Sequence, residues 1–120
     1  MQMLEMEGTS KTPAVRADPK SGNIEITGRA LTDNAGSFLE PIAKWISNYA
    51  KEPQRSTLVT FKLEYVNPQS SKAFLDIIGL LEKIPGSRVL WYFHDEDEDM
   101  EESGEELAEL VKIPFELRTY

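Results

Sequence analysis

Apolar and polar residues alternate through Asn23-Ile24-Glu25-Ile26-Thr27-Gly28-Arg29-Ala30. A period of two marks a strand with one buried face. Thr12 to Ala17 reads as a shorter strand before it. The turn Asp18-Pro19-Lys20-Ser21-Gly22 joins the two into a hairpin, because Pro presets one dihedral and Gly accepts a positive one. Val59, Phe61, Leu63 and Tyr65 alternate with Thr60, Lys62 and Glu64 and predict another strand. Arg88 to His94, RVLWYFH, is almost continuously apolar. Such a run predicts a strand placed centrally or covered on both faces. Pro114 to Thr119, PFELRT, predicts the last strand.

Between these strands the spacing changes to that of a helix. Phe38, Leu39, Ile42, Trp45, Ile46 and Tyr49 form one stripe, with Ser37 and Glu40 as a capping box. Pro41 holds the start of the regular helix close to itself, and Lys51-Glu52-Pro53 ends it. Phe74, Ile77, Ile78, Leu81 and Ile84 form a second stripe, stopped by Pro85-Gly86. A third helix is predicted from about Asp99 to Lys112, with Leu107, Leu110 and Val111 turned inward. Trp45 and Trp91 read as core. The order β-β-α-β-α-β-α-β predicts an α/β fold: a mixed sheet of about five strands with helices packed on it. Residues 12–120 read as a single domain without internal repeat or linker. Residues 1–11 are polar with no clear period and are expected to form a flexible N-terminal segment.

A chain of 120 residues suffices for one core. The absence of cysteine excludes disulfides, zinc-thiolate sites and thiol catalysis. The first residues, MQMLEMEGTSK, carry no basic region followed by an apolar run, and no apolar stretch reaches the roughly 18 residues of a membrane span. The expectation is a cytoplasmic protein without membrane insertion. The net charge of -8, with no basic cluster to offset it, argues against nucleic acid and for protein partners that carry a basic patch.

The stretch EYVNPQSSKAFLDI, residues 64–77, combines the end of a strand, a corner and the start of a helix. Asn67 suits the N-cap and Pro68 the first helical position, where no amide is needed. Gln69, Ser70, Ser71 and Lys72 complete the first turn. As structure this is a well-capped helix start. The same free amides and helix dipole would also stabilise a phosphate added there, which would mark the surface with negative charge.

Together with WYFHDEDEDMEESGEELAELVKIPFEL, this stretch resembles the SiaC family of bacterial regulatory phosphoproteins, relatives of the anti-sigma-factor antagonists. The resemblance covers about residues 10–118 and implies a STAS-like fold. It further implies a partner-switching pathway with a protein kinase, a metal-dependent serine/threonine phosphatase and a diguanylate cyclase as effector. The unphosphorylated protein would bind and activate the cyclase, raising cyclic di-GMP and favouring biofilm. Asn67, Ser70, Lys72, Ala73, Asp76 and Ile77 match the family's corner. The phosphoacceptor does not match: the family's Thr is Pro68 here, and Gln69 stands where a Ser commonly follows. The acceptor has then moved to Ser70 or Ser71, with Ser70 preferred because it also matches the family. Alternatively, the protein is a constitutive binding module, permanently in the unphosphorylated state, or the family's circuit does not operate here. In the switching case a neutral surface docks, and a phosphorylated one repels or reshapes the contact.

Asp95-Glu96-Asp97-Glu98-Asp99 opens an acidic run. Asp95, Asp97, Asp99 and Glu106 have EF-hand spacing, but Met100 stands where that loop needs Gly and a strand enters it. The carboxylates instead suit the start of the third helix, and the resemblance makes Asp95 to Asp99 a candidate docking surface for a basic partner. His94, the sole histidine, ends a strand with no nucleophile or Gly-rich loop beside it. An enzyme is therefore not expected, unless Asp76, Glu82 and His94 share a deep pocket. No cofactor is implied.

Overall fold

A computed structural model describes residues 1–120. The chain forms β1 (Leu4–Met6), β2 (Ala14–Asp18), β3 (Asn23–Ala30), α1 (Ala35–Tyr49), β4 (Thr57–Val66), α2 (Pro68–Leu81), β5 (Ser87–Phe93), α3 (Glu98–Leu110) and β6 (Phe115–Thr119). The strands lie in one six-stranded sheet in sequence order. β1 with β2 and β2 with β3 pair antiparallel, whereas β3 through β6 pair in parallel.

The sixth strand is the one the sequence pattern missed. Residues 1–11 were expected to be loose, yet Leu4–Met6 pairs with Val15–Ala17. Leu4 and Met6 pack half-buried against the core, and the Trp45 indole donates to the Gln2 carbonyl at 3.0 Å. Three residues are too few for alternation to register as a period.

All three helices pack on one face of the sheet. Phe61 on β4 lies 4.8 Å from Phe74 on α2 and 5.2 Å from Trp91 on β5. Phe38 on α1 meets Phe74 edge-on, and Trp91 donates to the Met100 carbonyl on α3 at 3.0 Å. On β4, Val59, Phe61 and Leu63 are buried, while Lys62 and Glu64 are exposed on the open face. Of the two placements expected for β5, the interior one holds: it lies between β4 and β6, with helices on one face only. Leu90 and Tyr92, on the open face, are shielded by neighbouring strands only. Along one row of that face Thr27, Lys62, Tyr92 and Arg118 stand side by side. The Lys62 ammonium lies 4.3 Å from the Tyr120 ring centroid. Glu116 hydrogen-bonds Arg118 and raises its pKa above the ordinary arginine value.

The first helix begins earlier than the capping box predicted. Its cap is Asn34, whose side chain accepts from the Ser37 amide at 3.2 Å. Pro41 therefore lies inside the helix. The carbonyl it leaves without a donor belongs to Ser37, an exposed residue, so water can satisfy it. In α3 the buried residues are Met100, Gly104 and Leu107. Leu110, expected inward, is 65% exposed.

Candidate functional site

The parallel strands β3, β4 and β5 each hand the chain to a helix at their carboxyl ends, so the starts of α1, α2 and α3 share one edge of the sheet. In open α/β sheets that edge is where sites gather. Asn34, Asn67 and Asp97 cap the three helices through a side-chain oxygen. Each cap frees its strand to turn while one orphan amide of the helix keeps a partner.

The cap of α2 does more than hold its own helix. Asn67 Oδ1 accepts from the Ser70 amide at 2.9 Å, and Asn67 Nδ2 donates to the Thr32 carbonyl at 2.9 Å. The Asn67 amide donates to the Ala30 carbonyl. Ser70 Oγ accepts from the Thr32 amide at 3.3 Å, and Thr32 Oγ1 accepts from the Asn34 amide at 3.1 Å. Thr32 thus ties the cap of α1 to the cap of α2. Thr32 is 4% exposed and carried no motif that would have marked it in the sequence.

This lacing sorts the first turn of α2. Pro68 and Gln69 are exposed, but neither has a hydroxyl. Ser70 is 1% exposed and its Oγ is already engaged. Ser71 is half-buried, and Lys72 is exposed. Of the two serines, the preferred Ser70 is fully buried and Ser71 is the more accessible.

Ser71 opens onto a groove between α2 and α3. This cavity, of about 200 Å³, is lined by Ser71, Lys72 and Leu75 of α2 and by Ser103, Glu106, Leu107 and Leu110 of α3. Ser103 also lines a second hollow of about 180 Å³, which Tyr65, Asp97 and Asp99 border at the sheet's carboxyl edge. The two hollows meet at Ser103. Ser71 and Lys72 from the corner, and Asp97 and Asp99 from the acidic run, therefore fall on one continuous surface. Tyr65, 54% exposed, stands at its upper end with the Arg29 guanidinium 4.8 Å from its ring centroid. Sequence reasoning missed Tyr65, Ser103 and Leu110. An exposed Tyr at the end of an alternating strand, in a position that reads as inward, was the available signal.

Charge is unevenly divided. Ten of the 21 acidic residues fall within 95–109, a stretch without Lys or Arg, so the rest of the chain holds eleven acids against thirteen bases. Asp95, Glu96, Glu98 and Asp99 are exposed, while Asp97 is half-buried because its Oδ1 accepts from the Met100 amide at 3.0 Å. That engagement turns Asp97 into the helix cap. No three acidic or histidine side chains converge into a cation cage.

The residues that would have revived an enzyme are dispersed. His94 lies at the carboxyl edge, its ring 4.1 Å from that of Tyr120 and its Nδ1 3.2 Å from the Tyr120 carbonyl oxygen. Glu82 lies beyond the far end of α2, where its carboxylate accepts from the Lys112 amide at 2.6 Å. Asp76 is exposed midway along α2. No helix is long and apolar enough to cross a membrane.

The arrangement compares closely with known proteins. An uncharacterized protein of Pseudomonas aeruginosa strain UCBPP-PA14 is 28% identical over 124 residues, covering 100% of this chain and 98% of that protein. The crystal structure of apo-SiaC from Pseudomonas aeruginosa superposes with a TM-score of 0.86 at 27% identity, over 98% of this chain and 99% of that one. SiaC as the activator in complex with the diguanylate cyclase SiaD, from the same organism, matches with a TM-score of 0.87 at 27% identity, over the same shares. The model of the SiaC family regulatory phosphoproteins matches residues 6–120, every element from the end of β1 onward. The resemblance to the SiaC family thus holds over nearly the whole chain, and the chain belongs to the SiaC family of regulatory phosphoproteins.

Proposed function

We propose that this protein is a cytoplasmic, non-enzymatic adaptor that binds and activates a diguanylate cyclase while unphosphorylated, and that phosphorylation of Ser71 releases the cyclase. A kinase and a metal-dependent serine/threonine phosphatase set the state of Ser71. Neither nucleic acid nor membrane insertion enters the cycle. Family membership and the cyclase complex of a relative support the effector. The observation that carries the switch is the placement of Ser71. It is the one surface hydroxyl in the first turn of α2, and it opens onto the surface that the acidic run also borders. The positive dipole end of α2 lies beside it, where it would favour an added phosphate.

The test is incubation with the cognate kinase and ATP, read by intact mass. A gain of roughly 80 daltons, one phosphoryl group, is expected in the wild type and in Ser70→Ala but not in Ser71→Ala. Cyclase activity should rise with unphosphorylated protein and fall back when the phosphorylated form replaces it.

A second reading has its own observation. Pro68 occupies the exposed first position of α2, where the family carries its acceptor Thr, and it has no hydroxyl. On that reading the protein is a constitutive binder with the family's fold and no switch. An unmodified wild type beside a modified Pro68→Thr variant would decide for it.

A further inference from the structure

We infer that the α2–α3 groove is the seat of a partner's amphipathic helix, with a basic rim and an apolar ridge, and that Leu110 is the principal anchor. The inference rests on the adaptor reading and says which part of the surface makes the contact and what the partner must present.

Three observations lead there. First, Leu110 is 65% exposed, although it lies one turn from buried Leu107 and over half-buried Leu75. An exposed Leu alone is ordinary. Here it extends an apolar floor out to solvent at the groove's lip, where a second apolar surface would complete its burial.

Second, both walls are helices. Lys72 and Leu75 on one side, and Ser103, Glu106, Leu107 and Leu110 on the other, repeat at helical spacing over two turns of α3, roughly 10 Å. Helical walls have spent their backbone hydrogen bonds internally, so they cannot extend an incoming strand. The occupant must bring a backbone that is already satisfied, as a helix does, and place side chains at every third or fourth position along the cleft.

Third, the charge of the rim is one-sided. Glu102, Glu105, Glu106 and Glu109 are exposed on α3, which contains no basic residue. Lys72 is the single cation lining the groove. A partner helix with Lys or Arg flanking its apolar ridge complements this rim, and an acidic helix is repelled by it.

The experiment pairs a defined probe with the physiological partner. A synthetic 14-residue amphipathic peptide of Leu and Lys is titrated into the isotope-labelled full-length protein, followed by amide NMR. Shifts confined to residues 71–75 and 103–110 are expected, with affinity falling about tenfold in Leu110→Asp and falling as salt rises. The same variant should bind the cyclase about tenfold more weakly with an unchanged melting temperature, since its side chain is mostly in water. Lys62→Glu, on the open sheet face, should bind as the wild type does. Peptide shifts centred on the sheet face, or shifts that Leu110→Asp leaves intact, overturn the inference. So does cyclase binding that Lys62→Glu weakens and Leu110→Asp does not. A wild type that binds the peptide at the groove but never the cyclase overturns the effector assignment and leaves the groove assigned to another basic helix.

Discussion

The packing of α3 against β5 makes a prediction whose sign depends on position alone. Glycine in a helix interior is less favourable than alanine by about 1 kcal/mol, so Gly→Ala normally stabilises. At Gly104 an added Cβ would stand 2.5 Å from Trp91 Cδ1 and 2.6 Å from Trp91 Nε1. Neither side can yield cheaply. Trp91 is 0% exposed, held between Phe61 and Phe115, and its Nε1 donates to the Met100 carbonyl one turn earlier on α3. Relieving the overlap requires α3 to lift from the sheet and stretch that hydrogen bond. Overpacking of this kind costs about 3 kcal/mol at its upper range, and the helix gain offsets about 1, leaving a net loss of about 2 kcal/mol. At Gly79 in α2 nothing lies within 4 Å of an added Cβ, so the same substitution keeps the helix gain. In thermal melts of a domain this size, Gly104→Ala should lower Tm by roughly 6–12 °C and Gly79→Ala should raise it by roughly 3 °C. Tryptophan fluorescence should shift in the first variant and stay constant in the second. A Gly104→Ala protein that melts at or above the wild-type temperature would refute the close approach of α3 to Trp91.

The corner supplies three further tests by urea denaturation. Asn67→Ala removes both the cap of α2 and the bond to the Thr32 carbonyl, and should cost about 2 kcal/mol. Ser70→Ala leaves the Thr32 amide without its acceptor in a buried setting and should cost about 1 kcal/mol, while phosphorylation at Ser71 persists. Tyr49→Phe removes an oxygen that lies 2.8 Å from Thr57 Oγ1 and accepts from the Gln54 amide at 3.1 Å, and should cost about 1–2 kcal/mol without affecting partner binding at the opposite edge.

What could be read from the chain followed from period and capping. β3 and β4 carry alternation, β5 a continuous apolar run and the three helices a helical stripe, each long enough to register, and Asn67-Pro68 is locally unambiguous. Leu4–Met6 did not register because a three-residue strand has no period; its place depends on a partner strand nine residues or more away. The cap at Asn34 was displaced by Ser37 because both are good caps, and only the packing of Phe38 against Phe74 decides where the helix must begin. Leu110 was placed inward because a helical stripe gives direction but not the width of the neighbour it meets. The different burial of Ser70 and Ser71 was illegible for a similar reason. Adjacent helical residues point about 100° apart, and which of them faces inward is fixed by Thr32, which lies 38 residues before Ser70.

The charge distribution constrains how a phosphate at Ser71 could release a partner. If the partner's helix is basic, the added negative charge attracts it, so simple repulsion cannot be the mechanism. What remains is occupancy. Ser71 lies at the mouth of a groove of about 200 Å³, and a doubly charged phosphoryl group with its hydration shell there leaves less room for an apolar side chain over Leu75 and Leu110. Lys72, beside it in the first turn, and the positive dipole end of α2 would hold the group in place. Charge and bulk can be separated by substitution. Ser71→Asp adds charge with little volume and should retain most cyclase binding. Ser71→Phe adds volume without charge and should weaken it by about tenfold or more. Raising the salt should not restore binding to the phosphorylated form, because screening acts on charge and leaves bulk unaffected. The reverse pattern, with Ser71→Asp inactive and rescued by salt while Ser71→Phe binds normally, would show that the partner meets this surface with negative charge, and the groove's occupant would then have to be sought among acidic helices.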